Sequence, residues 1–269
     1  MKPLQFFLLL TLICIAWLPC KAEEHVIAKG ETCLQIAIDH DLTMAQLQQL
    51  NPDADLEMML IGDILILPDE GVSFADFLAR RYAEVLQVTA DSCEITADGA
   101  ALCFLLVENI SDSPLYEVQI SVNVRGQNSF TARAAADIPL MQILPGEKLP
   151  MAVVIPVSFD ALENTELRVE NLTISDKLQS SFRIPDALFT HKESFPPDRV
   201  SGRAAIEFSQ EAAETYREKK INVLAAAYDD SGTLVAVRSL YTAFYPRLDV
   251  TLYSNNRTID SIELRLEAY

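Results

Sequence analysis

Histidine is scarce in this chain. Only His25, His40 and His191 occur among 269 residues, and none sits in a recognisable catalytic or metal-binding motif. Cysteine–histidine catalysis therefore has no foothold. No G-x-S-x-G, H-E-x-x-H, phosphate-loop or G-x-G-x-x-G sequence occurs either. Positive charge is also in short supply. Lysine and arginine number 21 against 39 aspartates and glutamates, for a net charge of −18. Arg80-Arg81 and Lys219-Lys220 are isolated pairs rather than a patch, so nucleic-acid phosphates are excluded as partners. After Leu18 no apolar run is long enough to span a bilayer as a helix. Carboxylates are so abundant that no two of them can be singled out by spacing as a glycosidase pair.

What the chain does have begins with an address. Lys2 precedes an apolar run from Leu4 to Leu18, and Cys20-Lys21-Ala22 places small residues where cleavage needs them. Residues 1–22 are read as a secretory signal, with Glu23 the expected start of the exported chain. The alternative is a lipoprotein acylated on Cys20, although Trp17-Leu18-Pro19 is a poor run-up to such a cysteine. The remainder is long enough for two or three domains, and an apolar content of 50% argues for filled cores rather than disorder.

Residues 25–68 carry the densest signals. Val26-Ile27 opens a strand, and Gly30 permits a turn that a Cβ would disfavour. Thr32 with Gln35 predicts a capping box, and Leu34, Ile36 and Ala37 supply the apolar face of the helix that follows. Thr43 with Gln46 repeats the capping signature, with Leu47 and Leu50 at helical spacing. Asn51-Pro52 stops this second helix. Ile64-Leu65-Ile66 is a strand able to pair with the first. The order is βααβ in about 45 residues, a size of marginal stability alone.

This order, with His25 to Ala37, Asn51-Pro52 and Ile61 to Pro68, resembles the LysM module. In that family a shallow groove binds glycans containing N-acetylglucosamine, peptidoglycan above all. The resemblance implies one wall at Gly30, Glu31, Thr32 and Cys33, and the other at Asp53, Ala54, Asp55 and Ile61. Cys33 also reads as a small buried apolar residue. Asp53 and Asp55 lack the further ligands a metal ion requires.

Beyond residue 69 the pattern changes. Ser73 with Asp76, then Phe74, Phe77, Leu78, Tyr82 and Val85, predicts one amphipathic helix in a linker spanning 70–90. Cys93 and Cys103 flank Asp98-Gly99, a strong hairpin signal, and export favours a disulfide between them. Cys33 is then the odd thiol. Leu102 to Val107 reads as a buried strand. Tyr116, Val118, Ile120, Val122 and Val124 alternate with period two. Short strands with Asn, Pro and Gly between them indicate a β-sandwich over 91–175. Glu263 to Glu267 echoes Glu166 to Glu170, and Leu248 to Leu252 sits before it as Leu149 to Val153 does, at offsets near 100 residues. A second sandwich is predicted over 201–269, with 176–200 as a proline-marked connector. The pattern N-x-S-D-x-P-L-x-x-V at Asn109 to Val118 resembles FxLYD-like and related immunoglobulin-like domains of bacterial envelope proteins. Asn109, Asn171 and Asn256 head glycosylation sequons, which would mark surface in a eukaryotic protein.

The expectation is a multidomain chain: a small α+β module of the LysM kind, then two all-β immunoglobulin-like sandwiches. It is read as a non-enzymatic protein needing no cofactor and no metal. It would be secreted, extracellular and associated with the cell wall of a bacterium. It would bind peptidoglycan or a chitin-like glycan and carry no membrane span, with an unidentified protein partner as a further role for the sandwiches. The alternative is a cell-wall hydrolase with an unrecognised catalytic domain.

Overall fold

In the computed structural model, residues 23–126, 130–158, 161–174 and 181–269 are described. The expected signal segment, Cys20 included, lies outside them. The chain divides into two units, one ending at Arg80 and the other beginning at Arg81. No helix among the described residues is long and apolar enough to cross a membrane.

The first unit has the predicted element order. Strand β1 (Glu23–Val26) pairs antiparallel with β2 (Ile64–Leu67), Val26 opposite Ile64. Between them run α1 (Cys33–Asp39) and α2 (Met44–Leu50). Thr43 and Gln46 form a complete capping box on α2. At α1 only half of it forms. Thr32 accepts from the Gln35 amide, but the Gln35 side chain donates to Asp39 at 2.7 Å instead. An i,i+4 carboxylate outcompetes the backbone. Cys33, Ile36, Ala37, Leu47, Leu50, Leu65 and Leu67 make the small core. Leu34, expected on the buried face, is 58% exposed, as is Ile38 one turn on. Helix α3 (Phe74–Ala83) starts at Ser73, whose hydroxyl accepts from the Asp76 amide.

The second unit is almost entirely antiparallel β-structure. Its first half has two sheets. One is β3 (Leu86–Ile95), β4 (Ala101–Asn109) and β8 (Lys148–Ile155). The other is built on β5 (Leu115–Gly126), flanked by β6 (Thr131–Asp137), the short β7 (Gln142–Ile143) and β9 (Leu162–Ile174). Val118, Ile120, Val122 and Val124 of β5 are buried, as the alternation predicted. Asn109 arranges the turn after β4. Its amide donates to the carbonyls of Ser113 and Ile143 and accepts from the Ser111 amide and hydroxyl. Asn109 is 0% exposed, so its sequon cannot be a surface marker in the folded chain.

The second half repeats the strand order. β11 (Phe189–Ser194), β12 (Ser201–Phe208) and β15 (Arg247–Tyr253) form one sheet, in the order of β3, β4 and β8. β13 (Lys220–Tyr228), flanked by β14 (Leu234–Ala243) and β16 (Ser261–Ala268), corresponds to β5 with β6 and β9. The echoing segments fall on matching strands: 149–153 on β8 and 248–252 on β15, 166–170 on β9 and 263–267 on β16. Each half is therefore a β-sandwich-like pair of sheets in one topology. Helix α4 (Gln210–Tyr216), capped by Ser209, interrupts the second copy between β12 and β13 and was not foreseen.

The expected boundaries shift. Residues 176–200 contain β10 (Phe182–Arg183), a 3-10 turn at Asp186–Leu188 and all of β11, the first strand of the second sandwich. β11 was missed because its prolines suggested a connector, yet Pro185 and Pro196 only bracket an edge strand, where proline is tolerated. Likewise β3 begins at Leu86, inside the predicted linker.

Nor do the sandwiches stand apart. Strand β4 turns Cys103, Leu105 and Val107 into its own core, and Phe104 packs on Ala226 and Leu234 of the second sandwich. Leu102 and Leu106 join that contact, as do Tyr228 and Val237. Strand β13 is buried on both faces from Ile221 to Ala227. This double burial explains why both strands read as nearly unbroken apolar runs. Burial, aided by the Glu263 carboxylate, pushes the Tyr228 phenol up to about 12.

Cys93 lies opposite Cys103 in the β3–β4 register, and the two are joined as a disulfide. Cys33 is a free, buried thiol, and burial pushes its pKa up. Replacing both bridged cysteines by serine is expected to lower the stability of the second unit by about 2–3 kcal/mol and to leave the first unit folded. Separate urea transitions for the two units check this. Non-reducing peptide maps should link Cys93 to Cys103, and a peptide containing Cys33 in a bridge would refute the pairing.

Candidate functional site

The predicted site residues lie on two connections, 30–33 around the start of α1 and 53–61 between α2 and β2. Two hydrogen bonds close one end of the β1–β2 pair: Ile27 N–H to the Asp63 carbonyl and Gly62 N–H to the Ile27 carbonyl, each 2.9 Å. They set Ile61-Gly62 beside the turn that follows β1. Gly30 and Gly62 both have φ of 95°, a conformation that side chains with a Cβ rarely adopt.

On the first wall Gly30, Glu31 and Thr32 are exposed. Glu31 is engaged with its own turn. One carboxylate oxygen accepts from the Ala28 amide at 2.7 Å and meets His25 Nε2 at 3.0 Å. The Ala28 bond, then the His25 bond, hold its carboxyl below the usual range. Its role is to fix the shape of the turn. Cys33 points inward at 7% exposure and offers a ligand nothing.

On the second wall Asp53 and Asp55 are exposed and Ala54 is half-buried. Gln48 Nε2 donates to the carbonyls of Asn51 and Ala54 at 2.9 Å, fixing that loop on the end of α2. Ile61 is 68% exposed, and Met58 and Leu60 beside it are more exposed still. These two apolar neighbours were not among the predicted residues. Among the described residues no hydrogen bond or ion pair links 30–33 to 53–55, so the two walls are carried by separate loops.

What joins the second loop to the core is Asn51, read from sequence only as a helix stop. It is buried. Its Nδ2 donates to the carbonyls of Leu47 and Ile66, and its Oδ1 accepts from Ile66 N–H at 2.7 Å. One amide thus clamps the end of α2 to β2. The signal was the Asn-Pro pair itself, since proline ends the helix and leaves the preceding asparagine to satisfy its last turn.

The surface is suited to an uncharged ligand. Lys29 is the only lysine or arginine between residues 23 and 69, so an anionic polymer finds little counter-charge. Exposed backbone, small side chains and the apolar Ile61 can meet hydroxyls, acetamides and C–H faces. No group of three or more histidine, cysteine or acidic side chains among the described residues is placed to hold a metal ion.

No protein-family profile matches the chain, and no curated protein matches it. Among solved structures, the trimeric lipoprotein SadB of Salmonella enterica superposes at 15% identity and a TM-score of 0.28, over 34% of this chain and 54% of that one. BuGH86 in complex with neoagarooctaose superposes at 7% identity and a TM-score of 0.17, over 80% of this chain and 40% of that one. The chain thus spans about half of the length of the first and less of the second. Both likenesses are too low to carry an argument.

Proposed function

We propose that residues 23–69 form a glycan-binding module of the LysM kind, and that the protein is an exported, non-enzymatic binder of peptidoglycan. The observation that carries this reading is the βααβ unit with its two exposed loops, at positive-φ Gly30 and after Asn51-Pro52. The scarcity of basic side chains there, Lys29 alone, supports a neutral saccharide over an anionic one. The apolar run of Leu4 to Leu18 supports export. The second unit, proposed to be two immunoglobulin-like domains, has a structural or interaction role.

Co-sedimentation with purified peptidoglycan tests this directly. The full chain should pellet and release no soluble fragments, whereas a chain starting at residue 81, which keeps β3 whole, should stay in the supernatant. Release of soluble muropeptides would establish a hydrolase, and pelleting of the shortened chain would move the site to the second unit. Thr32→Trp or Ala54→Trp should fill the cleft and weaken binding of a chitin oligomer at least about tenfold, the scale of one lost well-packed contact. Calorimetric titration of a variant with an unchanged circular dichroism spectrum reads this. Unchanged affinity would place the site elsewhere.

A further inference from the structure

An open sheet edge is a template for another strand, and folded proteins blunt such edges with lysine, proline, bulges or short length. The 81–269 unit does so along most of its edges. β7 and β10 are two residues long. Register shifts break the pairings of β3 and β9. β8 carries Pro150, and β11 presents Lys192 between His191 and Glu193. Arg238 of β14 donates to the Thr251 carbonyl of β15 at 2.7 Å, which ties those two edges to each other.

β6 differs. Its seven residues, from Thr131 to Asp137, include no proline and no lysine. Its register with β5 is unbroken, and among the described residues it pairs with β5 alone. The parity of that pairing is fixed at both ends. Gly126 N–H donates to the Phe130 carbonyl, and Ile138 N–H donates to the Val118 carbonyl. Even-numbered residues therefore bond to β5, and the N–H and C=O groups of Arg133, Ala135 and Asp137 point to the open side. The two charged side chains do not screen them. Arg133 pairs with Glu170 of β9, beyond β5, and Asp137 accepts from Gln119 of β5 at 3.0 Å.

We propose that β6 pairs antiparallel with β6 of a second copy of this chain, about a two-fold axis at Ala135. The strand's own charges sum to zero in a chain of net charge −18, so two copies can meet here without setting acid against acid. A two-fold axis perpendicular to the sheet places one residue opposite itself. With Ala135 on the axis, Arg133 of each copy lies opposite Asp137 of the other, a favourable cross-strand pair, and only alanines lie between. With Arg133 on the axis, two guanidinium groups would face each other. With Ala134 on the axis, neither charge meets its opposite. One strand edge is a small contact, so the dimer is weak, with a Kd of roughly 1 μM to 1 mM. This inference does not rest on the glycan reading of the first unit.

Sedimentation equilibrium of the full exported chain, from about 10 μM to about 1 mM, brackets such a Kd. The mass should rise from monomer toward dimer. Hydrogen exchange read by NMR locates the contact. The amides of Arg133, Ala135 and Asp137 should slow as concentration rises, while those of Ala134 and Ala136, bonded to β5, stay slow throughout. Ala135→Pro removes an outward N–H and spares the β5 ladder, a placement at which an edge strand tolerates proline. It should weaken association about tenfold or more, the loss expected for two backbone hydrogen bonds at the axis. Ala135→Lys keeps the backbone and sets two ammonium groups against each other across the axis, so it should weaken association too. Monomer at every concentration, a dimer equally strong in both variants, or outward amides protected independently of concentration would each overturn the proposal.

Discussion

Replacing Arg183 with alanine is expected to destabilise the 81–269 unit by about 3–5 kcal/mol, because it strands a buried charge. The Arg183 guanidinium donates to both oxygens of Glu147, at 3.0 and 2.6 Å, and to Glu267 at 3.1 Å. It also donates to the Gln142 carbonyl at 2.9 Å. Glu267 has no solvent exposure and further accepts from the Ser181 hydroxyl and the Met141 amide. Glu147 and Met141 belong to the first sandwich and Glu267 to the last strand of the second, so the cluster ties the two together. Urea midpoints at pH 7 measure the loss, with the slope of the transition unchanged. In a Glu267→Gln background the same substitution should cost less, because the buried oxygen then carries no charge. A loss below about 1 kcal/mol, the level of exposed pairs such as Arg203 with Asp249, would show that Arg183 is ordinary surface chemistry.

Phe104→Ala should cost about 3–5 kcal/mol, the range for removing a buried aromatic ring. The ring is 2% exposed and sits between the sandwiches rather than inside either, against Ala226 and Leu234. The location gives the variant a signature. Two sandwiches that share one apolar contact should unfold together, so calorimetry of the intact unit should show one transition. Loss of the Phe104 ring should split it into two, with the Arg183 cluster and the hydrogen bonds of Asn222 and Tyr241 to Pro139 insufficient to hold the halves coupled. Leu105→Ala, one residue along on the opposite face, opens the first core instead and should lower the temperature of a single transition. Two transitions in the unaltered protein would show that the contact does not couple the sandwiches.

Much of this architecture was legible in the residue order because its causes are local. A helix cap needs a hydroxyl and an amide three residues on, so Thr32, Thr43 and Ser73 announce their helices. A hairpin needs a residue that tolerates positive φ, so Asp98-Gly99 announces the turn that sets Cys93 opposite Cys103. Period-two alternation marks β5 wherever one face is buried. The echo between 149–170 and 248–267 reports a repeated topology because equivalent strands face equivalent cores. Even so, local signals misplaced features that depend on competition. Leu34 fits a helical apolar stripe yet lies in solvent, and Gln35 forms its bond to Asp39 rather than to the cap.

The residue order by itself thus determined which segments become strands, helices and turns, and which cysteines can meet. Tertiary structure alone decided which surfaces are covered. The run at β4 announced burial but not that its second buried face belongs to the other sandwich. Asn51 read as a helix stop because its partner Ile66 is 15 residues away. Arg183, Glu147 and Glu267 gave no joint signal because 36 and 84 residues separate the pairs. The physical reason is common to all three. Propensity, capping and turn chemistry act over a few residues, whereas burial and the pairing of buried polar groups depend on surfaces brought together only by the completed chain.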